Sequence, residues 1–139
     1  MKKTIWFLLP LMIACNATPK KITVGRDVCA FCKMTVSDNR FGSEFISKKG
    51  KSYVFDDIAC LLSYVKEHEE LNTQIKDVYL VNFLNDHNLI NANKAFIVKS
   101  KNHRGPMEGA IIAFDNKDSS IQYIQSSGGD PLIWEKVFQ

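Results

Sequence analysis

The sequence of 139 residues has few of the residues and motifs on which hydrolytic and nucleotide-dependent enzymes rely. It has three histidines, scattered at His68, His87 and His103. It contains no Ser-His-Asp order, no phosphate-binding glycine loop and no metalloprotease helix motif. These absences exclude the common hydrolytic and nucleotide chemistries. We therefore expect a protein that is not an enzyme.

Long blocks of charge of one sign are also missing. The 18 lysine and arginine residues and the 15 aspartate and glutamate residues are spread along the chain. A basic block would favour nucleic acid as a partner, and an acidic run would favour a polycation. Neither is present, so we expect no nucleic-acid partner.

The one long apolar run lies at the N-terminus, where Lys2 and Lys3 precede a stretch from Ile5 to Ala14. A basic start, a short apolar stretch and a small residue at its end are typical of an export signal, and this run is too short to span a bilayer. We predict a signal peptide over residues 1–14. Cys15 follows directly and resembles a lipobox cysteine, so we expect it to be lipidated.

Residues 15–26 then form the predicted lipid-anchor cysteine and tether. Loss of residues 1–14 removes Lys2 and Lys3, so the mature chain is nearly neutral. These features predict a lipoprotein of the cell envelope that faces the periplasm and contacts the membrane through its lipid. Asn16 stands where an aspartate often retains lipoproteins at the inner membrane, which favours the outer membrane.

Sulfur is concentrated in the segment DVCAFCKM at residues 27–34. Thiolate and thioether sulfurs favour Cu(I), whereas harder ions are bound by carboxylates, carbonyls and waters. Cu(I) is therefore the first candidate cofactor. Cys32 and Met34 are suited to form a local pair of ligands, and Cys29 either adds a third sulfur or forms a disulfide with Cys32.

Two other interpretations of this segment remain open. Cys-x-x-Cys also serves thiol-disulfide oxidoreductases, which would use Cys29 and Cys32. In a structural lipoprotein the cysteines would form a bridge and Met34 would fill the core. An oxidoreductase has no need of the thioether at Met34, so the sequence favours a metal carrier. With Cys15 assigned to lipid, an odd number of thiols remains, which requires a protecting ligand or leaves one reactive.

Cys60 and His103 are weaker candidates. Cys60 lies in a predicted helix beside apolar residues, where a free cysteine usually behaves as a small buried hydrophobe. We therefore leave Cys60 out of the predicted metal site. His103 lies in a predicted loop without a paired ligand, which is more typical of a solvated histidine than of a metal ligand.

The secondary-structure pattern predicts an α+β fold built from two similar units. The first unit, residues 27–86, has predicted strands at 41–46, 52–55 and 76–84, and a helix that Asp56 and Asp57 begin and that ends near residue 71. The second unit, residues 87–139, has predicted strands at 95–99, 110–114 and 132–138 and a helix at 119–125. Residues 59 positions apart match, as Phe55 and Phe114 do. This offset predicts a duplicated strand-strand-helix-strand unit.

Met107 is a further sulfur donor, and it comes from the second unit. It follows the turn at Gly105 and Pro106, just before a predicted strand. A neutral thioether adds a soft bond without adding charge, which suits a carrier that must later release its ion. We predict that Met107 closes over the site as a copper ligand. The alternative is that it packs on a neighbouring side chain.

The chain resembles the NosL family of membrane-anchored copper chaperones associated with nitrous oxide reductase assembly. The likeness rests on the lipobox at Cys15, on the segment 27–34 and on the segment FDDIACL at residues 55–61. A weaker block is GPME at residues 105–108, followed by Ala113 and Phe114. Lys33 and Glu108 depart from the pattern, because a glycine is common in the family at both positions.

The resemblance implies a duplicated β-β-α-β fold related to the organomercurial lyase (MerB-like) fold. It also implies Cu(I) held through Cys32 and Met34 and delivered for maturation of nitrous oxide reductase. The expected partners are the reductase and its maturation machinery, which includes a membrane ABC-transporter complex. A copper carrier for a different copper protein is the alternative that the resemblance leaves open.

Overall fold

The computed structural model describes residues 17–138, so the predicted signal peptide and Cys15 lie outside the described residues. This part of the chain contains the following elements: β1 (Ser43–Ser47), β2 (Ser52–Phe55), α1 (Ile58–Glu67), β3 (Ile75–Val81), β4 (Leu89–Asn91), β5 (Phe96–Ser100), β6 (Ile111–Phe114), α2 (Lys117–Ser127), β7 (Gly129–Leu132) and α3 (Trp134–Val137). The predicted mixture of helices and strands is confirmed.

The described strands form two antiparallel sheets with the same internal arrangement. The first sheet has the order β2-β1-β3-β4 and the second the order β6-β5-β7. Each unit therefore places its first strand between its second and third strands, and each has its helix between the second and third strands in sequence. The 59-residue offset holds for β2 and β6, and for Asp57 and Asn116, which are the N-caps of α1 and α2. The predicted duplicated fold is confirmed, and its relation to the organomercurial lyase stays a prediction.

The structure differs from the prediction in β4 and near the C-terminus. Strand β4 pairs with β3, so the first sheet extends past residue 86, where we placed the end of the first unit. The predicted last strand over 132–138 is wrong, because β7 ends at Leu132 and α3 follows. Trp134 is buried and stacks on Phe138, four positions later, at 5.0 Å between ring centroids. That spacing is the period of a helix.

Helix α1 is also shorter than the sequence suggests. It ends at Glu67, and a 3-10 helix over Glu69–Gln74 leads to β3. Its buried side chains Ile58, Leu61 and Val65 have the three-to-four-residue spacing of an amphipathic helix and join the main core. Among residues 17–138, no helix is long and apolar enough to cross a bilayer.

The two sheets are joined where β3 ends. Asn82 forms a parallel bridge with Ala113, and the Phe83 backbone nitrogen donates to the Ala113 carbonyl oxygen at 2.8 Å. Phe83 then packs in a second apolar cluster with Phe114 and Tyr123. This connection attaches the end of β3 in the first unit to β6 in the second.

The chain already contacts the first sheet at Lys20, within the predicted tether. The Lys20 backbone nitrogen donates to Glu44 Oε2 at 3.2 Å, and Ile22 is buried against Val36 and Val81. Glu44 is fully buried in β1 and accepts a second hydrogen bond, from the Ser52 hydroxyl. Burial raises the pKa of the Glu44 carboxyl.

Candidate metal site

The sulfur-rich segment folds into a tight hairpin next to β2. Val28 forms an antiparallel bridge with Thr35, and the Cys29 backbone nitrogen donates to the Met34 carbonyl oxygen at 2.9 Å. Lys33 closes the turn in the left-handed region, with φ 64°. Glycine adopts this conformation without a steric penalty, whereas a residue with a Cβ atom is disfavoured there. The Ala30 backbone nitrogen donates to the Val54 carbonyl oxygen at 2.8 Å and attaches the hairpin to β2.

Three cysteine sulfurs meet where this hairpin contacts the start of α1. The Sγ atoms of Cys29, Cys32 and Cys60 all lie within 4.8 Å of one another. All three are free thiols; Cys29 and Cys60 are buried and Cys32 is partly buried. Within residues 17–138 this is the one group of three or more histidine, cysteine or acidic side chains with the geometry to hold a metal ion.

Cys60 is the site residue that the sequence analysis left out. It is buried as expected, at 1% exposure, but its sulfur also faces the two cysteines of the hairpin. Cys60 reaches the other two cysteines because it lies in the first turn of α1, which directly follows β2. The hairpin with Cys29 and Cys32 is bonded to the same strand. Two sequence signals could have included it, namely the odd number of thiols and its place in the segment FDDIACL at residues 55–61.

The three thiols do not share the same acidity. A hydrogen bond from the Cys60 thiol and the backbone N–H groups of Asp56, Cys32 and Phe31 lower the pKa of Cys29 to about 4, against the effect of burial. The same contact with Cys29, together with burial, raises the pKa of Cys60 far above its usual value. Burial also raises the pKa of Cys32. The contact between the two buried thiols therefore favours a thiolate at Cys29 over one at Cys60.

The two predicted methionine ligands lie at the surface. Met34 is directly opposite Cys29 in the hairpin, and its side chain is 49% exposed. Met107 lies in the loop between β5 and β6 and is 37% exposed. The Met107 backbone nitrogen is 3.3 Å from Asp57 Oδ2, so this loop contacts the residue that begins the Cys60 helix. The ligand roles of Met34 and Met107 stay predictions.

The paired aspartates are buried and act as structural acceptors. Asp57 caps α1 by accepting from the Ala59 backbone nitrogen at 2.9 Å, as predicted. Asp56 accepts from the Ser37 backbone nitrogen at 2.9 Å. Burial raises the pKa of both carboxyls, and the backbone N–H groups that they accept oppose this effect.

The three histidines have other contacts. His103 Nδ1 lies 2.6 Å from the Tyr123 hydroxyl, and His87 Nδ1 lies 3.0 Å from the Asn82 carbonyl oxygen. His68 Nδ1 lies 2.9 Å from the Tyr64 carbonyl oxygen. None of the three belongs to the cysteine group, so within the described residues the site is built from sulfur.

The donor set decides which ions fit. Three cysteine sulfurs that converge on one point suit a soft metal ion. Structural zinc usually takes four ligands in a closed tetrahedron, and the cysteine group supplies three. Copper(I) accepts low coordination by thiolate and thioether sulfur, so the residues present fit this ion.

Fold and site together define a small α+β protein with a three-sulfur site between a hairpin and a helix start. The sequence model of the NosL family matches residues 19–139, and the chain therefore belongs to the NosL family. Its fold is similar to the crystal structure of the copper chaperone NosL from Shewanella denitrificans, with a TM-score of 0.74. That match covers 89% of this chain and 98% of the other at 24% sequence identity, which shows the fold alone. Comparison with curated protein sequences gives no match.

Proposed function

We propose that this protein is a Cu(I) chaperone whose ion is held by the sulfurs of Cys29, Cys32 and Cys60. The observation that carries the proposal is the convergence of these three Sγ atoms within 4.8 Å of one another. Membership in the NosL family and the similarity to a structure described as a copper chaperone support the same function. A carrier of this kind performs no reaction of its own, so we propose that it is not an enzyme.

The differences in burial suggest how the ion enters and leaves. Cys29 and Cys60 are fully buried, and Cys32 is partly exposed. Cys32 is therefore the sulfur that an incoming ligand from a partner protein can approach. Met34 and Met107 are exposed and neutral, and we propose that they complete the site on its outer side. Bonds to neutral thioethers break without leaving an unpaired charge, which suits transfer.

The client and the location follow from the resemblance and not from the geometry. We propose that the ion is delivered for maturation of nitrous oxide reductase, through the membrane ABC-transporter complex of its maturation machinery. The protein would act as a lipoprotein held by Cys15 and facing the periplasm. A copper carrier for another copper protein would use the same site.

A thiol-disulfide oxidoreductase is the second candidate, because the pKa of Cys29 is low, as in a reactive cysteine. A reactive cysteine must also be accessible, and Cys29 is 0% exposed. Its thiolate accepts a hydrogen bond from Cys60, which stabilises the charge further and lowers nucleophilicity. Burial thus favours the metal carrier.

A competition titration tests the choice of metal. Purified, fully reduced protein is titrated with Cu(I) in the presence of a Cu(I) chelator, and separately with Zn(II) and a zinc indicator. The proposal predicts one tightly bound Cu(I) per chain and much weaker retention of zinc. Equal or stronger retention of zinc would reverse the assignment of the metal.

A further inference from the structure

We propose that Asp57 is a positioning residue, which fixes the Met107 loop of the second unit onto the start of the helix that carries Cys60. This inference rests on the proposed role of Met107 as a copper ligand and deepens it. It explains how the loop that carries Met107 in one unit is attached to the helix start that carries Cys60 in the other.

The two carboxylate oxygens of Asp57 are divided between the two units. Oδ1 accepts from the Ala59 backbone nitrogen at 2.9 Å and caps α1. Oδ2 accepts from the Gly109 backbone nitrogen at 3.0 Å and from the Met107 backbone nitrogen at 3.3 Å. One side chain therefore satisfies N–H groups that lie 50 and 52 positions away in sequence as well as its own helix start.

The loop leaves no room for a side chain between itself and this carboxylate. A Cβ atom added at Gly105 would lie 2.8 Å from Asp57 Cγ, and one added at Gly109 would lie 2.6 Å from it. The loop also closes on itself, since the Gly105 backbone nitrogen donates to the Gly109 carbonyl oxygen at 2.7 Å. Glu108 completes the turn with φ 61°, a left-handed conformation that residues with a Cβ atom rarely adopt. The backbone is thus shaped around Asp57.

Asp57 also contacts the cysteine-bearing turn directly. Its carbonyl oxygen accepts from the Cys60 backbone nitrogen at 3.0 Å. The backbone nitrogens of Met107 and Cys60 therefore donate hydrogen bonds to the same residue, Asp57. Small shifts of Asp57 would move the methionine loop relative to the sulfur group.

The second unit contains a helix N-cap, Asn116, that can be compared with Asp57. Asn116 occupies the matching position, caps α2 through the Ser119 backbone nitrogen at 2.8 Å, and is exposed. Asp57 is 0% exposed. A helix cap does not require burial, and burying a carboxylate is unfavourable unless several donors compensate it. Compared with Asn116, Asp57 is more buried and has a second acceptor oxygen. That oxygen, Oδ2, accepts from the backbone of the Met107 loop.

Holding the loop in advance matters because a free loop must be ordered when the ion binds. Residues that orient metal ligands typically change metal affinity by about 10- to 100-fold when they are mutated. We expect Asp57→Asn to weaken Cu(I) binding by about tenfold or more. Asparagine keeps one oxygen for the helix cap, as Asn116 does, but places an amide NH₂ group against two backbone donors.

The test measures Cu(I) affinity by chelator competition in four proteins: wild type, Asp57→Asn, Met107→Leu and the double variant. If Asp57 acts through Met107, both single variants lose affinity and the double variant loses no more than Met107→Leu alone. Asp57→Ser, which keeps a capping hydroxyl and removes the second oxygen, replaces Asp57→Asn if that variant does not fold. Asn116→Ala is the matched control and should lower the melting temperature with unchanged Cu(I) affinity.

Three results would overturn the inference, and they are distinguishable. An equal loss from Asp57→Asn in both backgrounds would show that Asp57 acts on the cysteines and not through Met107. Wild-type affinity in Asp57→Asn, alongside a clear loss in Met107→Leu, would remove Asp57 from the positioning role but keep Met107 as a ligand. Wild-type affinity in Met107→Leu would remove the ligand role itself, and the inference with it.

Discussion

Replacing Gly109 by alanine tests how closely the second unit is packed on Asp57. The added Cβ would lie 2.6 Å from Asp57 Cγ, a distance that real Cβ contacts do not show, so the loop must move. Overpacking of this kind costs about 1–3 kcal/mol, and loss of the hydrogen bond from Gly109 to a buried carboxylate costs about 1.5–3 kcal/mol. The two costs overlap, because opening the loop relieves the contact, so we expect a loss of about 2–4 kcal/mol.

Urea unfolding of the metal-free protein, followed by far-ultraviolet circular dichroism, measures this loss. Gly25→Ala is the control, since no atom lies within 4 Å of its added Cβ and only its φ of 76° is unfavourable. That control should lose about 1–2 kcal/mol. If Gly109→Ala unfolds at the wild-type urea concentration, the Asp57 carboxylate does not lie against the loop and the proposed positioning fails.

Three further predictions concern charge and processing. The metal-free protein should show thiolate ultraviolet absorbance at neutral pH, and Cys60→Ala should move its appearance to higher pH, because Cys60 donates to the Cys29 thiolate. Glu44→Gln should gain stability relative to wild type as pH rises from acid to neutral. Because the pKa of Glu44 is raised in the folded state, protonation of Glu44 stabilises the fold fully below the unfolded-state pKa, and this stabilisation is lost above the folded-state pKa. Urea unfolding of both proteins at several pH values measures the difference. Intact mass of membrane-extracted protein should show residues 1–14 removed and acyl mass on Cys15; a retained Met1 would contradict the lipoprotein assignment.

Local patterns in the sequence predicted the parts of the fold that local forces determine. The apolar spacing from Ile58 to Val65 and the Asp57 cap define the start of α1, and both are properties of a few neighbouring residues. The apolar run near the C-terminus was ambiguous, because a short stretch around Trp134 fits either a strand or a helical turn. Its helical form depends on packing against the rest of the protein.

For the same reason, the sequence predicted two of the three cysteines of the candidate metal site. Cys29 and Cys32 are neighbours within one hairpin, so their meeting needs no tertiary structure. Cys60 lies beside them because the hairpin attaches to β2 through the hydrogen bond from Ala30 to Val54. This contact is not local in sequence, so no local pattern predicts it. The hydrogen bond from Gly109 to Asp57 spans 52 positions and depends on how the two units dock.

The most direct measurement of the central claim is X-ray absorption at the copper edge on Cu(I)-loaded protein. A three-cysteine site predicts a first coordination shell made of sulfur, and a smaller number of sulfur neighbours in Cys60→Ala than in wild type. A Met34→Leu variant, compared in the same way, reports whether the exposed thioether adds to the shell. A shell dominated by nitrogen or oxygen, or an unchanged sulfur count in Cys60→Ala, would contradict the three-cysteine site.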